Sequence, residues 1–165
     1  VGSEMCIRDR MNKEAKSLGA TESNFVNPHG LYNDNHYTTA YDLYLIFNEA
    51  IKYSKFVDTL SCMKYTGSFT RKTAYGDYSI GCSYTNSNGF LTGSYATPDG
   101  IKVYGGKAGY TEVARRSYVM LAESNNGHKY IIITMRAESN SLMYKDLSAL
   151  LNKIPVDKKS YADNE

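Results

Sequence analysis

The chain has 165 residues, and 19 Lys and Arg against 17 Asp and Glu give a formal net charge of +2. These charges are interspersed, which excludes a face basic enough to imply nucleic acid or an anionic membrane, and no apolar run approaches a membrane span. Three cysteines are too sparse for a disulfide framework or a metal site, although a single Cys62–Cys82 bridge stays open. Sixteen tyrosines and no tryptophan would suit stacking on sugars, but Tyr is also an ordinary strand residue, and the strand reading is preferred.

In chain order, residues 1–10 (Val-Gly-Ser-Glu-Met-Cys-Ile-Arg-Asp-Arg) read codon by codon as a transposase adapter used in sequencing libraries, and are set aside from fold and function. About 155 residues remain, enough for one core. Met11, Ala15 and Leu18 followed by Gly19 read as the end of a helix. Residues 21–35, rich in Asn and Gly, form a structured loop, and such loops often border sites. Thr39 opens the next helix with Asp42 as a capping-box-like partner and Ala40, Leu43, Phe47, Ala50 and Ile51 as its apolar stripe.

Residues 63–83, broken by Gly67, Gly76 and Gly81, suggest strands and hairpins of modest length. Residues 117–123 and 129–135 are the clearest strands, joined through Asn125-Asn126-Gly127 and expected to pair antiparallel. Their consecutive apolar residues require cover on both faces of the sheet. A last helix spans residues 141–154, with Leu142, Leu147, Leu150, Leu151 and Ile154 on one side and Pro155 as its stop. Residues 155–165 are a linker or disordered tail, and 11–154 form one α+β unit, a mainly antiparallel sheet with helices on both faces.

The most informative segment is Gly105-Gly106-Lys107-Ala108-Gly109-Tyr110-Thr111, about 70 residues after Asn27-Pro28-His29-Gly30-Leu31 and His36-Tyr37-Thr38-Thr39-Ala40-Tyr41-Asp42-Leu43. Gly105, Gly106 and Gly109 lack a Cβ and let the backbone approach a ligand, with Lys107 as a fixed cation. The plainer reading is an exposed Lys in a Gly-rich turn. Together, in this order and spacing, the three segments resemble the C-terminal part of the catalytic domain of serine D-alanyl-D-alanine carboxypeptidases, the low-molecular-weight penicillin-binding proteins, over most of residues 11–154.

That resemblance implies a partial penicillin-binding-protein and β-lactamase-like transpeptidase fold, and acyl transfer to a serine from a peptidoglycan stem peptide ending in D-Ala-D-Ala. It implies no cofactor and no metal, β-lactams as ligands of the full-length parent, and a place outside the cytoplasm, secreted or anchored to the outer face of the bacterial membrane through segments not present here. Lys107 would face the substrate carboxylate, with Ala108, Gly109, Tyr110, Thr111 and His29 at the cleft. His29 has a plainer role as a loop imidazole bonded to backbone.

Two departures stand out. Ala108 replaces the usual Thr, an expected weakening of about tenfold for one lost neutral hydrogen bond. Met143 falls near where many relatives place a carboxylate-binding Arg. Of the family's other two motifs, Ser61-Cys62-Met63-Lys64 imitates Ser-x-x-Lys but precedes a strand and comes too late, and Ser124-Asn125-Asn126 imitates Ser-x-Asn within a predicted turn. The nucleophile and its base are therefore expected upstream of Met11, and a missing catalytic Ser costs on the order of a millionfold. A non-catalytic cell-wall-binding relative is the alternative reading, and a β-lactamase a third. Lacking the domain's first elements, the piece is expected to expose apolar sheet faces.

Overall fold

A computed structural model describes residues 2–157. The expected tail falls mostly outside them, at residues 158–165. Helix α1, Gly2–Ser17, runs without a break through the segment read as adapter-derived and ends where the sequence put its end. Gly19 donates to Lys16 and Ala20 donates back to Ala15 at 2.9 Å, closing the last carbonyls of the helix.

Helix α2, Ala40–Ala50, starts as read: Thr39 Oγ1 accepts from the Asp42 amide at 3.1 Å, a cap worth about 1 kcal/mol. Asp42 is not a reciprocal cap. Its carboxylate is buried and accepts from Ser23 Oγ at 2.6 Å, and Ser23 also meets Thr38 Oγ1 at 2.7 Å, so the helix start and the preceding loop form one hydrogen-bonded unit. An isolated bridge between Asn24 and Tyr37 closes the same loop across its neck.

Helix α3, Ser54–Ser61, had no counterpart in the sequence reading, because eight residues are too few to display a convincing period. After it come β1, Lys64–Thr73, and β2, Gly76–Thr85, paired antiparallel over their whole length as a separate two-stranded ribbon. The short broken segments expected there are in fact two ten-residue strands. Gly67 and Gly81 interrupt neither, since extended backbone suits glycine as well as any residue; only Gly76 sits at the turn.

The main sheet has the order β3-β4-β5, from β3, Ile101–Thr111, β4, Arg115–Ser124, and β5, Lys129–Ala137, all antiparallel. Asn125-Asn126-Gly127 turns the chain between β4 and β5 as expected, with Gly127 at φ 84°. Among the described residues, β3 and β5 each have one neighbouring strand, so the sheet has two free edges.

Both faces are covered. On one, Val103, Tyr118, Met120, Ala122 and Ile132 pack against α4, Asn140–Leu151, which Ser139 caps at the Leu142 amide. On the other, Leu121 packs against Phe47 of α2 and Leu60 of α3. The apolar side of α4 differs from the expected stripe: Met143, Tyr144, Leu147 and Leu151 are buried, while Leu142 and Leu150 face solvent. Leucines recur around much of this helix, so their spacing alone could not decide which ones the sheet covers. The helix ends at Leu151, before the 154 expected from Pro155.

A loop following β2 seals the α4 face. Asn88, buried, donates to Tyr118 Oη at 2.8 Å and accepts from the Phe90 amide at 2.9 Å, while Gly89 donates to Tyr144 Oη at 2.8 Å. Burial pushes the Tyr118 phenol up to about 12, with Tyr144 adding to the effect and the Asn88 bond opposing it.

Candidate functional site

Lys107 lies within β3, not in a turn ahead of the strands, and its register partner on β4 is Val119. Side chains alternate along a strand, so Lys107 shares the α2 and α3 face with Gly105 and Gly109. It is exposed on an edge strand, and its ammonium donates to the carbonyl of Ala108. The strand edge beside it has backbone groups free to pair with an extended peptide.

The glycines divide by role. At Gly105, φ is 122°, and a Cβ would fall on the Leu60 carbonyl oxygen of α3; at Gly106 it would fall on the Val119 carbonyl of β4. These two glycines admit the chain's own backbone and not a ligand, which corrects the expectation for them. Gly109 alone of the three has open space at its Cβ position.

Two residues beyond Lys107 a cleft of about 520 Å³ begins, lined by Gly109, Tyr110 and Thr111 on one side and by loop residues from Gly30 to Thr38 on the other. Arg115, Arg136 and His36 also line it. Arg115 and Arg136 have φ of 60° and 61°, a left-handed conformation uncommon for residues with a Cβ and often found at functional sites. Arg115 Nε lies 3.7 Å from Glu138, a weak exposed pairing that leaves it available to the cleft.

The predicted residues are thus only partly brought together. Gly109, Tyr110 and Thr111 form a wall, Lys107 and Ala108 precede it on the same strand, and His29 is not among the lining residues. His29 accepts from the Leu31 amide at 3.2 Å and stands 3.4 Å from Glu4 of α1, the loop role that was its plainer reading. Thr111 and Tyr110 also have structural duties: Thr111 Oγ1 accepts from the Ala114 amide in the β3–β4 turn, and Arg116 lies over the Tyr110 ring. Ser61 donates to the Val57 carbonyl at 2.9 Å at the end of α3, while Lys64 belongs to β1, so Ser61 and Lys64 share no helical turn. Ser124 is buried at the end of β4 and bonds Asn126 in the turn.

His36, Arg115 and Arg136 were missed as site residues. His36 had been quoted within a motif without a role, and no sequence signal marks a left-handed arginine. His36 Nδ1 accepts from the Val26 amide at 3.3 Å, and its ring meets Phe25 edge-on. Burial holds the His36 imidazole below its ordinary pKa, and the nearby His29 lowers it further. The unfolded chain therefore takes up this proton at higher pH than the folded chain does. Stability from His36 is present above the ordinary imidazole value and lost as pH falls through the lowered folded value. The urea midpoint should fall between pH 7 and 5, and His36→Gln should remove part of that fall; a pH dependence unchanged in the variant would refute the assignment.

Among the described residues no group of three His, Cys, Asp or Glu side chains is placed to hold a metal ion, and no helix is long and apolar enough to cross a membrane. The three cysteines are free, so Cys62 and Cys82 form no bridge.

The family model for D-alanyl-D-alanine carboxypeptidases of peptidase family S11 matches residues 1–139, which include the whole Lys107 strand. The chain belongs to the D-alanyl-D-alanine carboxypeptidase family. The family match also takes in residues 1–10. A curated member, D-alanyl-D-alanine carboxypeptidase DacF of Bacillus subtilis (strain 168), is 34% identical over 130 residues, 77% of this chain and 29% of that protein. Among similar solved structures, the Streptomyces K15 DD-transpeptidase is 26% identical with a TM-score of 0.72, over 87% of this chain and 52% of that one. A D-alanyl-D-alanine carboxypeptidase from Mycobacterium tuberculosis is 25% identical with a TM-score of 0.67, over 90% and 53%. The chain spans about half the length of these two solved relatives and under a third of the curated one.

Proposed function

We propose that this chain is the C-terminal part of the catalytic domain of a serine D-alanyl-D-alanine carboxypeptidase that trims peptidoglycan stem peptides outside the cytoplasm. The observation that carries this reading is the placement of Lys107 on the free edge of β3, on the sheet face where the cleft walled by Gly109, Tyr110 and Thr111 begins. A stem peptide would lie along β3 as an added strand, with its terminal carboxylate drawn by Lys107. Arg115 and Arg136 line the same cleft and would supply positive charge that Met143, buried under the sheet, cannot.

In the whole protein a serine from sequence outside this chain would attack the D-Ala-D-Ala bond. D-Ala would leave, and water would release the acyl group. Residues 1–10 are proposed to be adapter-derived although α1 begins at Gly2, and 11–154 to be the natural portion.

A peptide ending in D-Ala-D-Ala should bind the chain, and Lys107→Ala should weaken that binding by roughly 10- to 100-fold, as for a lost hydrogen bond to a charged group. Fluorescent penicillin should leave the chain unlabelled. Unchanged peptide affinity in Lys107→Ala, or a covalent adduct at Ser61, would refute the assignment. The burial of Met143 and the presence of Ala108 favour a second reading, a non-catalytic relative that binds stem peptide without turnover. Penicillin labelling of the full-length protein separates the two.

A further inference from the structure

The β1–β2 ribbon is amphipathic in a way the carboxypeptidase reading does not use. Register partners share a face, so Tyr65 with Tyr84, Gly67 with Cys82, Phe69 with Ile80 and Arg71 with Tyr78 make one side. The opposite side carries Lys, Thr, Ser and Asp with Gly81. A ribbon with an aromatic face is ordinarily laid on a core, yet Tyr65 and Tyr84 here are 58% and 64% exposed.

The Tyr65 ring reaches along its own strand as far as Gly67. A Cβ on Gly67 would meet Tyr65 Oη at 2.6 Å and ring carbons at 2.9 Å, so only glycine lets the ring rest there. Resting there, the Tyr65 ring still leaves more than half of the residue exposed. Between the ribbon's aromatic face and α3 lies a concavity of about 620 Å³, lined by Tyr65 and Tyr84 with Lys55 and Asp58 from the helix. Asn86 fixes the angle between helix and ribbon, donating to the carbonyls of Leu60 and Cys62 at 3.0 and 3.1 Å.

We propose that this concavity binds the glycan strand of the cell wall, apart from the stem-peptide cleft. The proposal rests on the carboxypeptidase reading for the identity of the polymer. A flat aromatic surface suits the C–H face of a pyranose, which carries partial positive charge toward the ring's negative face. Asp58 accepts from sugar hydroxyls and Lys55 donates to them. Lys55, which lines the concavity, complements the lactyl carboxylates that N-acetylmuramic acid units expose once their stem peptides are removed. A bilayer fits less well, because Asp58 would face anionic headgroups.

The test uses the full chain with soluble glycan strands stripped of their peptides, followed by calorimetry. Saturable binding is expected, weakened at least about tenfold by Tyr65→Ala or Tyr84→Ala, as for loss of a stacked ring. Binding should be largely kept in Tyr84→Phe, which retains the ring, and in Tyr75→Ala at the ribbon tip. Circular dichroism confirms that each variant is folded.

Absence of glycan binding, or equal loss in Tyr75→Ala, overturns the proposal. So does binding to anionic vesicles without glycan binding, or a self-association relieved by the same tyrosine variants. Glycan binding that fails while D-Ala-D-Ala peptide binding still depends on Lys107 removes this proposal alone. The reverse pattern removes the Lys107 reading and leaves the ribbon standing.

Discussion

Gly105→Ala is expected to cost about 3 to 5 kcal/mol, from strain and overpacking together. The backbone at Gly105 has a φ of 122°, which residues with a Cβ rarely adopt, and the added carbon would fall on the Leu60 carbonyl. Either α3 moves away from the sheet or β3 loses the irregularity between Val103 and Gly105 that sets its register with β4. Both outcomes displace Lys107, two residues along. Urea denaturation should show the reduced stability, and D-Ala-D-Ala peptide binding should weaken with it. A near-neutral Gly105→Ala would mean that α3 does not lie against β3 as described.

Asn88→Ala should cost about 3 kcal/mol or more, through the orphaning of buried groups and not through lost volume. The Asn88 carboxamide satisfies the Phe90 amide and the Tyr118 hydroxyl at the same time, inside the layer between sheet and α4. Truncation leaves both in an apolar site where water has little access. Thermal denaturation should fall by roughly 10 °C, given about 2–4 °C per kcal/mol for a chain of this size. Replacement by Asp keeps an acceptor for the Phe90 amide and lets the Tyr118 hydroxyl donate, so it should be milder than Ala if burial of its charge is offset. A loss in Asn88→Ala below about 1 kcal/mol would show that the loop relaxes to admit water.

Much of this arrangement was legible in advance wherever a local signal had a single cause. Thr39 with its hydroxyl three residues before an amide, Gly19 past the last helical residue and Asn126-Gly127 between two apolar strands each determine a cap or a turn by short-range chemistry, and each appears where expected. Signals with two possible causes did not resolve. Glycines at 67 and 81 read as breaks because a missing side chain looks the same in a turn as within a strand, whether under a tyrosine ring at Gly67 or in open space at Gly81. The leucines of α4 occupy enough of its circumference that only the position of the sheet selects Met143 and Tyr144 for burial.

The site was legible as a strand and less so as a cleft. Lys107 to Thr111 are contiguous, so one motif finds them all. The opposite wall comes from the loop near His36, and Arg115 and Arg136 come from β4 and β5, joined to β3 only by folding. Neither arginine's left-handed backbone has a sequence marker, since residue type favours Gly or Asn there.

A sheet three strands wide has two ledges, and their chemistry is opposite. Along β3 a charged side chain stands beside the open rail, so an incoming strand with an anionic end has a direction and a stopping point. Along β5 the rail is flanked by Tyr130, Ile131 and Ile133, which would grip any greasy extended segment without regard to its polarity or register. Selectivity belongs to the first ledge and stickiness to the second, so handling this chain in solution becomes a question of what is offered to β5.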